Sequence, residues 1–185
     1  MSILPIYLYG TDVLRRKAKP VRAVTDDIVK LVMDMFETMH AAHGIGLAAT
    51  QVGNMHRVVV VDLSDMEETK DIKPLTLINP EVVSGEGRIS VEEGCLSIPD
   101  VRDEVERDEQ VVIRYKDTNF REVELEAGAL LARVILHEID HLNGVLFLDH
   151  LAREKKALHK DALKKIKGGE VEVSYPVVAA TPVSV

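Results

Sequence analysis

Between residues 25 and 44, apolar side chains recur at intervals of three and four, at Ile28, Leu31, Val32, Met35, Phe36 and Met39. That spacing lines one face of an α-helix, and Thr25 and Gly44 supply an N-cap and a stop. A second helical stripe follows Gly128 through Leu130, Leu131, Val134, Ile135 and Ile139, ending at Asn143 and Gly144. A third helix is predicted over residues 151–167, before Gly168 and Gly169. Between the first two helices the period changes. Residues 57–63 hold a β-branched run that reads as a buried strand, and residues 75–79 a strand stopped by Pro80. Residues 81–83, 111–115 and 121–125 are further β-like runs, the last alternating cleanly.

Segments without a period complete the pattern. The first ten residues read as extended, and residues 11–16 as a short helical turn capped by Thr11, with Pro20 breaking the chain beyond it, together a wrapping arm. Residues 44–53 read as a loop of small residues and residues 64–73 as an acidic surface loop. With no repeat and no linker, the expectation is a single α+β domain over residues 1–169. Mostly antiparallel strands would pack around a central helix, the second one, with an N-terminal helix and a C-terminal helix at 150–168. Residues 170–185, with Pro176 and Pro182, are expected to be an added strand or disordered.

Composition narrows the function classes. A chain of 185 residues with 46% hydrophobic and 29% charged residues suits one globular domain and excludes a collagen-like or wholly disordered chain. Aromatics at 4%, without Trp, disfavour a single-strand binder built on base stacking. A formal charge of −8 disfavours gripping nucleic acid with the whole surface, and no sequence-specific binding of it is expected. The exception is local: over 151–169, Arg153, Lys155, Lys156, Lys160, Lys164, Lys165 and Lys167 face only Glu154 and Asp161. This reads either as a solvated helix face whose cations suit the C-terminal end of the helix dipole or as a surface for phosphates. No apolar run nears the roughly 18 residues of a membrane span, and Asp12, Arg15, Arg16, Lys17 and Lys19 stand where a secretory signal is apolar. A soluble, unsecreted protein with no membrane partner is expected. The lone Cys95 excludes an internal disulfide framework.

The sharpest chemical signal is His137-Glu138-Ile139-Asp140-His141, an H-E-x-x-H pattern within the second helical stripe. Histidines four apart share one helix face, so two imidazoles can reach one divalent ion while Glu138 sits beside its open position. Such an ion acidifies water, and the carboxylate can relay the proton to a leaving group, the chemistry of a hydrolase. A catalytic site usually has a third protein ligand. The longer metalloprotease pattern would need His at 147, where this chain has Phe147; Glu154 lies in a basic helix and Glu170 beyond the two glycines. Cys95 remains, open to reading as a ligand, a nucleophile or an ordinary buried cysteine. Gly44-x-Gly46 lacks the third glycine and the Lys-Ser/Thr of a phosphate loop, but the glycines of residues 44–53 admit a substrate backbone and Gln51 offers an amide donor to an oxyanion, or merely packs the loop.

Taken together and in this order, Gly44-Ile45-Gly46-Leu47-Ala48-Ala49-Thr50-Gln51, Glu93-Gly94-Cys95-Leu96-Ser97 and His137-Glu138-Ile139-Asp140-His141 resemble the three motifs of the peptide deformylases. The likeness spans roughly residues 1–168, includes Val13-Leu14-Arg15 in the arm, and is of the bacterial type. It implies hydrolytic removal of the formyl group from the initiator formyl-methionine of nascent chains, releasing formate during protein biosynthesis. It implies Cys95, His137 and His141 as ligands of one divalent metal, natively Fe²⁺, with Zn²⁺, Ni²⁺ or Co²⁺ as substitutes on purification. Glu138 would be the general acid and base, and Gln51 with the Leu96 N–H would hold the formyl oxygen. Ile45 and Gly46 would line the peptide groove, and Ile45, Val91, Leu130 and Val134 a methionine pocket. Position 133 is Arg where some members carry an aliphatic residue; the pocket survives if its stem packs there while its head reaches solvent. The resemblance also implies ribosome docking through the basic C-terminal helix, and a bacterial cytoplasmic location or an organellar mature form. Two other readings remain from the residues themselves: a zinc endopeptidase with an unusual ligand set, and a non-catalytic relative that binds metal or ribosome.

Overall fold

The computed structural model describes residues 2–180, in the order β1 (Ile6–Tyr7), α1 (Asp26–Ala41), β2 (Gly46–Ala48), β3 (Val58–Val61), β4 (Leu75–Glu86), β5 (Ile89–Cys95), β6 (Ile98–Arg107), β7 (Gln110–Lys116), β8 (Glu122–Gly128), α2 (Ala129–Leu142), α3 (Arg153–Leu158), α4 (Lys160–Lys167) and β9 (Val177–Val178). The fold is mixed α/β, with antiparallel sheets apart from the two-stranded parallel pair β1–β9. Strands β2-β3-β4-β7-β8 form a five-stranded sheet, antiparallel throughout, while among the described residues β5 pairs only with β6.

The four valines of β3 are all buried, so both faces of the sheet must be covered, because successive side chains of a strand point opposite ways. Val58 and Val60 pack with Ile28, Leu31, Met35 and Met39 of α1; Val59 and Val61 join Leu131, Val134, Ile135 and Ile139 of α2. The sheet thus lies between two amphipathic helices, each large aliphatic side chain contributing about 1.5–3 kcal/mol by burial. Helix α1 begins where Thr25 Oγ1 accepts the Ile28 N–H at 3.4 Å. A third core gathers Leu8, Leu14, Ile98, Val101, Val105, Phe147, Leu148, Leu163 and Ile166, fastening the arm and α4 to the β5–β6 hairpin.

Several local expectations are corrected. Strand β4 does not stop at Pro80; it passes through, with its register on β7 shifting between Ile78 and Glu81, where a residue lacking an N–H is tolerated. Residues 44–53 are not all loop but contain β2 and a 3-10 turn, Ala49–Val52. Thr11 does not cap the 3-10 turn Asp12–Arg15, since its hydroxyl donates to the Leu8 carbonyl at 2.8 Å instead. The C-terminal helix breaks at His159 (φ −91°, ψ 1°), whose ring is bonded to Asp103 of β6 at 2.9 Å. Beyond α4 the chain returns as β9, parallel to β1, and residues 181–185 of the expected tail lie outside the described residues.

Arg15 of the arm forms an ion pair with Asp149, which also accepts the Leu146 N–H at 2.9 Å. Burial alone would raise the Asp149 pKa, but Arg15 and the Leu146 N–H outweigh it and hold it at about 2. A carboxylate lowered in the folded state stabilises above its unfolded value near 3.8 and loses that contribution as the pH falls through about 2. Asp149→Asn should therefore unfold at lower urea than the parent at pH 7, with the gap closing between about pH 4 and pH 2. A gap of constant size across urea titrations at these pH values contradicts this account.

Candidate metal centre

His137 and His141 lie one turn apart on α2, both buried, with their Nε2 atoms 3.3 Å from each other. Cys95 comes from the tip of the β5–β6 hairpin, where Leu96 and Ser97 make the turn and Cys95 pairs with Ile98. The register shifts between Gly94 and Cys95, and such a bulge re-aims the side chain that follows it. Its Sγ stands 3.2 Å from His141 Nε2, and the three ligand atoms lie within 4.8 Å of one another. Two ligand atoms about 2.1–2.3 Å from one tetrahedral ion sit roughly 3.4–3.7 Å apart, so this donor set fits a single divalent metal. The electrostatics agree. Burial opposes a charge on His137, yet Cys95 and Glu93 outweigh it and raise its pKa well above the ordinary value, so positive charge is favoured at the shared point. Burial, with the charges of His137 and Arg107, holds His141 in the neutral form that ligates.

His137 is oriented by Glu93, two residues before Cys95: its Nδ1–H donates to Glu93 Oε2 at 2.9 Å, leaving Nε2 for the metal. Glu93 is 4% exposed and is also bound by Arg107, through Nε at 2.6 Å and Nη2 at 3.0 Å, and by Arg133 Nη1 at 2.9 Å. Burial works to raise its pKa, but His137 and Arg107 overcome this and hold it well below the carboxylate range. The Arg133 head does not reach solvent. The head turns inward to Glu93 and to the carbonyls of Val105 and Ile89, both at 2.8 Å, because buried acceptors there require a donor.

Glu138 faces the opposite way chemically. Burial pushes its pKa up to about 7, helped by the Glu93 charge and opposed by His137, and its Oε2 has no hydrogen-bond partner among the described residues. Gly46 of β2 lies against it: a Cβ there would come 2.6 Å from Val134 Cγ1 and 2.7 Å from Glu138 Oε1. Gln51, in the Ala49–Val52 turn, accepts the Ala48 N–H at 2.9 Å and presents its Nε2 to Ser97 Oγ at 3.3 Å and Cys95 Sγ at 3.5 Å. A cavity of about 240 Å³ opens here, lined among others by Ile45, Gly46, Gln51, Leu96, Leu130 and Val134.

The structure therefore brings together Cys95, His137, His141, Glu138, Gln51, Leu96, Ile45, Gly46, Leu130 and Val134. Val91 is the exception: it stands further down the hairpin, 39% exposed, and does not line the cavity. Glu154 and Glu170 are exposed and outside the ligand cluster, and Phe147 is core, stacked on the His137 ring. Arg107 is not singled out by the sequence, and Glu93 and Ser97 only as letters of a motif. For Glu93 and Arg107 the signal available is charge at inward positions of a strand.

Comparison with known proteins gives consistent likenesses. A family model described as polypeptide deformylase matches residues 3–157. A peptide deformylase of Salinibacter ruber is 48% identical over 184 residues, covering 95% of this chain and 94% of its own length. One of Chlorobaculum parvum is 45% identical over 180 residues, covering 97% and 96%. Among solved structures, a peptide deformylase from Legionella pneumophila has a TM-score of 0.84 at 37% identity, covering 91% of this chain and 98% of its own. One from Ehrlichia chaffeensis, in complex with actinonin, has a TM-score of 0.83 at 38% identity, covering 93% and 100%.

Replacing Glu93 by Gln removes a buried charge that two arginines and a histidine share. Unpairing such a group costs about 3–5 kcal/mol, and loss of an orienting partner weakens metal binding about 10–100-fold. Glu93→Gln should thus lower both the unfolding midpoint and the affinity for metal measured by competition with a chelator. Unchanged metal affinity would contradict the orienting role.

Proposed function

This chain belongs to the polypeptide deformylase family, enzymes that remove the N-formyl group from nascent peptides, and from that premise we propose how its own residues divide the work. The observation that carries the reading is the convergence of Cys95 Sγ, His137 Nε2 and His141 Nε2 beside a buried carboxyl, Glu138, whose pKa is pushed up to about 7.

Cys95, His137 and His141 would hold the metal, and a divalent ion so held would acidify water and polarise a carbonyl oxygen. Glu138 takes the proton of the attacking water and returns it to the leaving amine, and a pKa near neutrality suits both steps. The Gln51 amide and the Leu96 N–H hold the formyl oxygen as charge develops on it. Ile45 and Gly46 border the peptide groove, where the absence of a side chain at Gly46 lets a substrate backbone lie close to Glu138. Leu130 and Val134, with Ile45, receive the methionine side chain. A formyl carbon bears only hydrogen, so exclusion of the acetyl group is steric.

The native ion in this reading is Fe²⁺; a thiolate with two imidazoles also accepts Zn²⁺, Ni²⁺ or Co²⁺, selectivity resting on geometry and availability. Residues 1–169 act as a single catalytic domain, in the bacterial cytoplasm. No helix among the described residues is long and apolar enough to cross a membrane. The basic helices dock on the ribosome, a reading supported by Arg153, Lys156, Lys160, Lys164 and Lys167, which line one groove beside Tyr9.

Glu138→Gln, purified without oxygen beside the parent, should carry one iron per chain and lose formate release from a short formyl-methionyl peptide by more than about 100-fold. The parent should leave the acetyl-methionyl peptide untouched. Retained turnover in the variant would refute the role of Glu138. For the ribosome, Lys160→Glu with Lys164→Glu should weaken co-sedimentation at low salt; unchanged co-sedimentation would remove that part of the proposal.

A further inference from the structure

The two-residue turn Leu96–Ser97 is held from behind by the arm that precedes α1 and by the segment that follows α4. Tyr9, which follows β1, donates its N–H to the Ser97 carbonyl at 2.8 Å. The segment after α4 doubles back along β1, with the Ile6 N–H donating to Pro176 O at 2.9 Å and the Leu8 N–H to Val178 O at 2.8 Å. Immediately before this pairing, the Tyr175 hydroxyl donates to the Leu96 carbonyl at 2.9 Å. Tyr7 of β1 lies against Gly53, where a Cβ would come 2.5 Å from the ring, directly after the Ala49–Val52 turn that carries Gln51. The returning segment, β1 and the two turns bearing Gln51 and Leu96 are therefore one connected assembly, and residue 175 lies beyond the 3–157 span matched by the family model.

We propose that Tyr175 is a positioning residue for deformylation: its hydroxyl, by pinning the Leu96 carbonyl, fixes the Leu96–Ser97 peptide plane, which adjoins at the Leu96 Cα the plane bearing the Leu96 N–H, and so holds that N–H in place to meet the formyl oxygen. This rests on the reading of Leu96 and Gln51 as the donors to that oxygen. With Leu96 O tied to Tyr175 and Ser97 O tied to Tyr9, the Leu96–Ser97 and Ser97–Ile98 peptide planes cannot rotate without breaking a hydrogen bond, and the Cys95–Leu96 plane that bears the Leu96 N–H lies between them and the Cys95–Ile98 pair of the ladder. A donor that must match the charge of a transition state depends on such fixing, whereas one that only binds the ground state tolerates slack. Burial, with the nearby Cys95 and Asp100 charges, pushes the Tyr175 pKa up to about 12, so the hydroxyl keeps the proton it donates at working pH.

Tyr175→Phe keeps the ring and removes the one hydroxyl. In the full-length iron-loaded protein, kcat on a formyl-methionyl peptide should fall about five- to twentyfold, with KM within about twofold. Metal content should stay at one per chain and Tm near the parent's, while amide hydrogen exchange in the peptide spanning Leu96 and Ser97 should quicken. Parental kcat overturns the proposal, whatever happens to Tm, and so does a fall in kcat that only tracks lost metal or a lowered Tm. Gln51→Leu, assayed alongside, separates the two levels. If Gln51→Leu lowers kcat and Tyr175→Phe does not, only the role of Tyr175 falls; if Gln51→Leu also keeps parental kcat, the donor reading falls with it.

Discussion

A carboxylate taken out of water must be met by charge and hydrogen bonds, and Glu93 is the group whose pairing the site depends on. Its partners come from two elements: Arg107 from β6, Arg133 and His137 from α2. Arg133 also binds carbonyls on both strands of the hairpin, and Arg107 reaches on to Asp140 at 2.7 Å, which is bonded to His150. Together these contacts clamp a two-stranded hairpin, unpaired with the main sheet, onto the helix that carries both histidines. Once that contact is made, the residue two positions after Glu93 arrives at the histidine pair, and that residue is Cys95.

The same few residues separate two carboxyls of opposite character. Glu93 and Glu138 are both buried, yet one is held ionised and the other raised to near neutrality. The difference lies in donors: Glu93 has two guanidinium groups and an imidazole, whereas Glu138 Oε2 has no partner among the described residues. A fixed anion and a carboxyl that titrates near neutrality are thus made from one residue type by environment alone. Tyr175 and Tyr9 extend this ordering outward, from the ligand shell to the turn beside it.

Both long helices were legible in the sequence because their apolar spacing, their starts and their stops agree, and the histidine spacing follows from helix geometry. The hairpin was not. Its inward positions include Glu93 and Arg107, so charge stands where alternation would place apolar residues, and β5 otherwise exposes Ile89 and Val91. Pro80 reads as a stop because the shift in register that accommodates it depends on the partner strand. The break at His159 carries no glycine or proline; it coincides with a bond to Asp103, 56 residues earlier. Likewise the identity of the third ligand rested on resemblance, since only the folded hairpin brings Cys95 to the helix.

Anomalous diffraction at the absorption edge of the metal, from crystals of the metal-loaded protein, tests the central claim most directly. The account predicts one peak per chain, about 2.0–2.4 Å from Cys95 Sγ, His137 Nε2 and His141 Nε2 together, with Glu93 still on His137 Nδ1. A metal held by the histidines with Cys95 turned away, or no peak at this site in loaded protein, would contradict it.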